Sequence, residues 1–369
     1  MIKTDSGLFT IFAFIVAFIM TFTATPVAQK IAFKVGAVDV PKDKRRMHTT
    51  PKARLGGIAI YFGFLVSVLC FGKIFTPTVS SRQLIGILTG ATIVMVLGVF
   101  DDIKPRKAWV KFLIQTLAAI IPVMCGVRIG FLSNPFAIDP YVLLPKWISV
   151  VGTVFWIVAV TNAVNLIDGL DGLAAGISSI AAIALLSFLM IQHVTVVNIL
   201  ILAAALAGAC FGFLPYNFNP SKLFMGDSGA LFLGFILACI SIQGPFKMYL
   251  AFSVPFLILG LPLFDTSFAI IRRIIKRQPI MAPDRGHLHH RLIDMGFSHR
   301  TTVVIMYGLS AILALSSIIM IVSGVKRALV LILSVLLFAF FAFTFLDKSN
   351  TNENDENNEK QEAQDDKEN

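Results

Sequence analysis

The chain is poor in charge. Of its 369 residues only 14% are Asp, Glu, Lys or Arg, where a soluble globular domain carries about 25%. With 56% hydrophobic residues and a mean hydropathy of +0.82, that deficit excludes an ordinary soluble enzyme. Cysteine is scarce as well. Cys70, Cys125, Cys210 and Cys239 each fall in an apolar stretch without metal-like spacing, which argues against a disulfide framework or a cysteine metal knuckle. The first apolar run lacks a small-residue cleavage site, so it reads as a retained helix. Nothing resembles a soluble nucleic-acid-binding module, so nucleic acid is not an expected partner. Glutamate is missing from the first 346 residues: the twelve acids before Asp347 are all Asp.

What is present is a series of apolar runs, each long enough to cross a bilayer core of roughly 30 Å. They fall near 8–25, 55–71, 83–100, 109–125, 147–164, 173–190, 196–214, 229–243, 249–270, 302–322 and 326–346. The expected fold is all-α: a polytopic helical integral membrane protein of about eleven transmembrane helices. Lys and Arg set the orientation. By these spans 23 basic residues fall on one side and eight on the other. The basic side is read as cytoplasmic, with the N-terminus outside and the C-terminus inside. Residues 347–369 carry three Lys against nine acids, a charge of −6, which leaves +16 on the membrane body. The reading is therefore a transmembrane domain over 1–346 and a disordered acidic cytoplasmic tail over 347–369. A basic face beside lipid suits anionic ligands such as phospholipid head groups or nucleotides, although topology alone accounts for much of that charge.

The acids carry the chemical information. Ten of the twelve Asp, and five of the six His, fall on the cytoplasmic side by this topology. The segment Asn162–Gly172 reads NAVNLIDGLDG and sits where an apolar run stops. Acids at a membrane boundary are costly unless something binds them. On a helix the spacing of Asp168 and Asp171 would put both carboxylates on one face. Such a pair asks for a hard cation, Mg²⁺ or alternatively Mn²⁺. A helix cap followed by a glycine turn is the blander alternative.

Three further stretches add to it. Asp101 and Asp102 end the third span, with Lys104, Arg106, Lys107 and Lys111 after them. Neighbours on a helix point about 100° apart, so one acid can face the interior while the other caps or pairs locally. The segment PYNFNPSKLFMGDSGA supplies Asn217, Asn219 and Asp227, with Phe224 as a stacking platform; Asp227 or Ser228 could instead cap the next helix. The longest basic loop contains GHLHHR. Its His287, His289 and His290, flanked by Arg285 and Arg291, suggest an anion site or an interfacial helix. Zinc fits less well there. Pro262 and Asp265 indicate a broken or kinked helix before that loop. In the first basic loop, Lys42, Lys44, Arg45 and Arg46 are a topology signal or a phosphate-neutralising cluster, with His48 and Gly56-Gly57 beyond. The loop over 126–146 has room for a small hairpin or for a segment lying at the membrane interface.

In combination these motifs resemble the polyprenyl-phosphate N-acetylhexosamine-1-phosphate transferases of the glycosyltransferase family 4 type, over about residues 10–345. The resemblance implies that Asp227 ligates Mg²⁺ with Asn165 as second ligand. It implies that Asp101 and Asp102 are the family's paired acids, one a base for the lipid phosphate. Asp168 and Asp171 would serve the nucleotide and metal site. Asn217 and Phe224 would bind and stack on uracil, while His287, His289 and His290 with Arg291 would hold the sugar and pyrophosphate. Lys104, Lys107 or Lys111 would meet phosphate.

HLHH in place of three consecutive histidines favours the undecaprenyl-phosphate N-acetylglucosaminyl 1-phosphate transferase branch. The implied reaction converts undecaprenyl phosphate and UDP-GlcNAc to undecaprenyl-diphospho-GlcNAc and UMP, opening synthesis of a cell-wall glycopolymer such as teichoic acid. Alternatives are phospho-MurNAc-pentapeptide transfer and a lipid transporter. The expected setting is the bacterial cell membrane, with the site on its cytoplasmic face; the chain is compatible with a homodimer.

Overall fold

A computed structural model describes residues 2–40, 51–73, 78–133, 141–194, 196–243, 253–279 and 286–324, and positions 326, 327, 329 and 333. The chain divides into two compact units, Met1–Ile318 and Ile319–Asn369. All candidate site residues lie in the first. Of the described residues, the second holds the last turn of the final long helix, Gly324 and positions 326, 327, 329 and 333.

The helices are α1 (Ile2–Val35), α2 (Gly56–Phe71), α3 (Val79–Ile103), α4 (Ala108–Met124), α5 (Lys146–Ile167) and α6 (Leu173–Ile191). They continue as α7 (Val197–Asn217), α8 (Gly226–Ile242), α9 (Ser253–Ile258), α10 (Gly260–Ile275), α11 (Leu288–Asp294) and α12 (His299–Ser323). Two short antiparallel pairs join β1 (Val38–Asp39) to β2 (Lys52–Ala53), and β3 (Phe131–Ser133) to β4 (Tyr141–Leu143). Six helices are long and apolar enough to cross a membrane, namely α1 from Gly7, α3, α5, α6, α7 and α12; α2, α4 and α8 are shorter apolar helices. The chain is an all-α membrane protein.

Ten of the expected spans meet a helix among the described residues. The eleventh, 326–346, lies outside them apart from positions 326, 327, 329 and 333. The acidic tail, Lys42, Lys44, Arg45, Arg46, His48 and Arg285 also lie outside them. The first helix is longer than its apolar run, continuing through Pro26 to Val35. The ninth span is broken, as its proline suggested: α9 stops at Ile258 and α10 starts at Gly260. Pro262 has no N–H to offer the Ile258 carbonyl, which weakens the helix there. The hairpin over 126–146 is formed by β3 and β4.

Helix α8 is the core. Every residue from Ser228 to Ile242 is buried, as expected of a short helix apolar on all sides. Its first turn packs backbone to backbone. A Cβ on Gly57 of α2 would collide with the Gly229 backbone, and one on Gly98 of α3 with that of Ser228. Polar pairs stitch α5 to its neighbours: Trp156 Nε1 donates to Ser241 Oγ at 3.0 Å, and Asn162 Nδ2 to Gln115 Oε1 at 2.6 Å. In lipid each such bond contributes about 0.6–2 kcal/mol.

Candidate active site

Asp101 and Asp102 occupy the last turn of α3 and do divide their work, as adjacent helical positions must. Asp102 is buried, 7% exposed. It accepts from the backbone N–H groups of Asp227 at 2.9 Å and Ser228 at 3.0 Å. These belong to the four amides that the start of a helix leaves without partners. The cap of α8 therefore comes from α3, 125 residues away in sequence, and not from Asp227 or Ser228. Asp101 turns instead to the Arg106 amide, at 2.7 Å, and to Lys111 Nζ, at 3.2 Å.

Lys111 also donates to Asp227 Oδ2 at 2.7 Å. It is thus the lysine that enters the site; Lys104 and Lys107 are exposed. Asn165, in the last turn of α5, lies against the Asp227 carboxylate.

The expectation that Asp168 and Asp171 share a helix face is overturned. α5 ends at Ile167, and residues 168–172 form a turn closed by Gly172 at φ +82°. Asp171 is buried and its Oδ2 accepts from Ser221 N at 3.0 Å, Asn219 Nδ2 at 3.2 Å and Lys52 Nζ at 3.3 Å. Burial works to raise its pKa, but Ser221 and Lys52 outweigh that and hold the carboxyl below its usual range. Asp168 has the opposite environment. Loss of water, then the charges of Asp227 and Asp102, push it up to about 8, with Arg54 opposing. Three carboxyl groups, Asp102, Asp168 and Asp227, thus converge with too little positive charge beside them for all to stay ionised.

Asn217 is 3% exposed and works as framework: its Oδ1 accepts from Gly172 N at 3.1 Å and its Nδ2 donates to Leu223 O at 3.0 Å. It ties the 168–172 turn to the segment before α8. Phe224 is half-buried, with Lys52 Nζ 4.9 Å from its ring centroid. Lys52 reaches it because the strand continues past β2: Phe224 N donates to Ala53 O at 2.8 Å, and Gly56 N to Phe224 O at 3.0 Å.

The histidine loop docks beside the same turn. His287 Nδ1 pairs with Asp265 Oδ2 at 2.8 Å, and its ring is parallel to that of His289, with centroids 5.8 Å apart. His289 is 1% exposed, and neither ring nitrogen has a hydrogen-bond partner. Burial, then the charge on neighbouring His290, lowers its pKa to about 3, so the ring is neutral. It packs on Gly169, where a Cβ would collide with the imidazole. His290 is half-buried beside it, and Arg291 is exposed.

Several site residues were given no role by the sequence reading. Lys52 and Arg54 stand two apart, the strand period that points two side chains the same way, a weaker signal than the denser cluster at Lys42–Arg46. From α12, His299 lies beside Asp171, Arg300 Nε donates to Asn219 O at 3.1 Å, and Tyr307 Oη donates to Gly172 O at 2.5 Å. Nothing in an apolar helix marks such buttresses.

Among the described residues no three His, Cys, Asp or Glu side chains form a metal cage on their own. A hard cation that keeps waters and takes substrate oxygens needs only one or two protein carboxylates. Asp227, with Asn165 against it and the Asp102 and Asp168 carboxyls close by, fits that requirement, and an ammonium already sits there.

A glycosyl transferase family 4 profile matches residues 84–245, the stretch holding Asp101, Lys111, Asn165, Asp168 and Asp227. A probable undecaprenyl-phosphate N-acetylglucosaminyl 1-phosphate transferase of Bacillus subtilis (strain 168) is 43% identical over 330 residues, 89% of either chain. A decaprenyl-phosphate N-acetylglucosaminephosphotransferase of Mycobacterium tuberculosis (strain CDC 1551 / Oshkosh) is 33% identical over 313 residues, 78% of this chain and 77% of the relative. An undecaprenyl-phosphate alpha-N-acetylglucosaminyl 1-phosphate transferase of Yersinia pestis is 27% identical over 304 residues, 79% of each. With relatives of this likeness over most of its length, the chain belongs to glycosyl transferase family 4.

Proposed function

We propose that the chain transfers N-acetylglucosamine 1-phosphate from UDP-GlcNAc to undecaprenyl phosphate, releasing UMP and leaving undecaprenyl-diphospho-GlcNAc. The observation that carries this reading is the single ammonium of Lys111 held between Asp101 and Asp227, with Asp168 nearby. A lipid-phosphate oxygen forms a bond to the sugar-bearing phosphorus while the bond from that phosphorus to the UMP oxygen breaks. Both reactants are anions, so the barrier is largely electrostatic. Lys111 supplies positive charge where the two phosphates meet. Asp101, on the same ammonium, is placed to take a proton from a singly ionised lipid phosphate. Lys52 and Phe224 fit the nucleotide end, and the histidine loop fits the sugar side. Mg²⁺, or Mn²⁺, held by Asp227 and Asn165 would neutralise pyrophosphate oxygens and charge on the leaving UMP.

This reading places the site at the cytoplasmic face of a bacterial membrane, where a lipid head group and a soluble nucleotide meet. It takes about eleven spans with the N-terminus outside. The distribution of Lys and Arg supports that orientation. A homodimer is compatible with it.

The test is purified protein with undecaprenyl phosphate, Mg²⁺ and either UDP-GlcNAc or UDP-MurNAc-pentapeptide. UMP and lipid diphosphosugar should form with UDP-GlcNAc alone, and chelation should stop the reaction. Product from the pentapeptide nucleotide instead would assign the other branch. Lipid movement without UMP release would make the chain a transporter.

A further inference from the structure

We infer that Asp265 is a positioning residue for the transfer reaction: its one carboxylate grips the His287 ring and the Leu288 amide together, and so seats His289 against the Asp168–Gly172 turn. The inference rests on the reading that the histidine loop meets substrate, and it extends that reading to a residue outside the loop.

Asp265 sits in α10, just past the break at Leu259. Its side chain is 8% exposed and that of His287 5%. A carboxylate so far from water is costly unless both oxygens are satisfied. Here they are used separately: Oδ2 on His287 Nδ1 at 2.8 Å, Oδ1 on the Leu288 N–H at 2.9 Å. The first bond fixes the ring and the second fixes the backbone where α11 begins, so residues 287 and 288 cannot rotate independently. A carboxylate only accepts, so His287 Nδ1 carries the proton and its tautomer is set, as in other carboxylate-oriented histidines.

The grip is passed on within two residues. The His287 and His289 rings lie 9° from parallel, and His289 rests on Gly169. Gly169 follows Asp168 directly and is two residues from Asp171. His289 has no hydrogen bond to hold it there. Its place is set by packing on one side and by the fixed start of α11 on the other. Without Asp265 the loop keeps its histidines but loses the bonds that aim them.

The experiment uses the full chain in detergent with lipid. Asp265→Ala should lower kcat/KM by about 10- to 100-fold, the range seen when a residue orienting a ligand from behind is removed. Asp265→Asn, which keeps size and loses charge, should fall in the same direction. Asp265→Glu should recover part of the loss. The deciding measurement is a double-mutant cycle with His289→Ala. Residues acting through one device are not additive, so the double variant should lose no more than about two-fold beyond the worse single variant. Fully multiplicative losses would overturn the positioning role. If His287→Ala and His289→Ala each stay within about two-fold of the unaltered enzyme, the loop takes no part and the functional reading of it fails first. An independent readout is the distance between spin labels at Ile275 and Met295, both exposed, in a background without the four native cysteines. Asp265→Ala should broaden that distribution; an unchanged one would count against the inference.

Discussion

Lys111 donates to Asp227 at 2.7 Å and to Asp101 at 3.2 Å, so one ammonium on α4 joins the last turn of α3 to the first turn of α8. Two consecutive helices and a third that starts more than a hundred residues further on are thereby fixed around one charge. Phosphoryl transfer between two anions gains most from charge already in place, since nothing must reorganise during the reaction.

Lys111→Met should therefore lower kcat by about 10²- to 10³-fold, the cost of removing one preorganised electrostatic group. Asp227→Asn should abolish turnover while the protein stays folded and membrane-inserted. Both are read as initial rates of UMP release against folded protein measured by size exclusion. Near-normal activity of Asp227→Asn, or indifference of the unaltered enzyme to Mg²⁺, would remove Asp227 from the metal role.

The paired acids should separate by property. Asp102→Ala leaves two amides of α8 without their acceptor, and a buried orphan costs about 1–3 kcal/mol. Asp101→Ala frees Lys111 of one of its two partners and should act mainly on rate. Thermal unfolding in detergent, set beside turnover, checks the split. If Asp101→Ala proves the more destabilising, the roles are reversed.

Which parts of this were legible in the sequence follows from how local each signal is. Apolar runs, the break near Pro262 and the hairpin over 126–146 are encoded within a few residues, and they were found. The span pattern put Asp101, Asp168 and Asp227 on one face, motif resemblance added Asn165, and the structure brings the four to one place. Sequence spacing misplaced Asp168 and Asp171 because helical geometry was extended through Gly169 and Gly172, where the chain turns. The cap of α8 by Asp102, the strand that delivers Lys52, and Tyr307 on the Gly172 carbonyl are contacts across more than a hundred residues. No local pattern announces them.

His289 makes a pH prediction with a definite sign. Its folded pKa is depressed to about 3 from an ordinary 6.5. Above 6.5 both folded and unfolded forms are neutral and the stability is complete. As pH falls from 6.5 toward 3 the unfolded chain binds a proton that the folded protein refuses, so stability is lost. Between neutrality and about pH 5 the loss from this one group is on the order of 1–2 kcal/mol. The variant His289→Leu should lose less in Tm over that interval than the unaltered protein. Parallel curves would show that the ring titrates normally and is not shut away against Gly169.

The last prediction concerns the nucleotide. Phe224 lies three residues before Asp227, with the Lys52 ammonium 4.9 Å from its ring centroid. Lys52 in turn bonds Ser221 Oγ at 2.9 Å and Asp171 at 3.3 Å, which keeps that charge on the ring. An aromatic ring so placed can hold uracil while Asp227 serves the pyrophosphate end. Stacking on a base is worth roughly 1–3 kcal/mol, so Phe224→Ala should raise KM for UDP-GlcNAc by about ten-fold or more. KM for undecaprenyl phosphate should hardly move, because the polyprenyl chain lies in the bilayer away from the base. The competing account is that Phe224 is packing, one of 33 phenylalanines in an apolar chain. Packing defects lower folded yield and burden both substrates alike. Kinetics with each substrate varied in turn decide between them, and an equal loss for both would return Phe224 to the core.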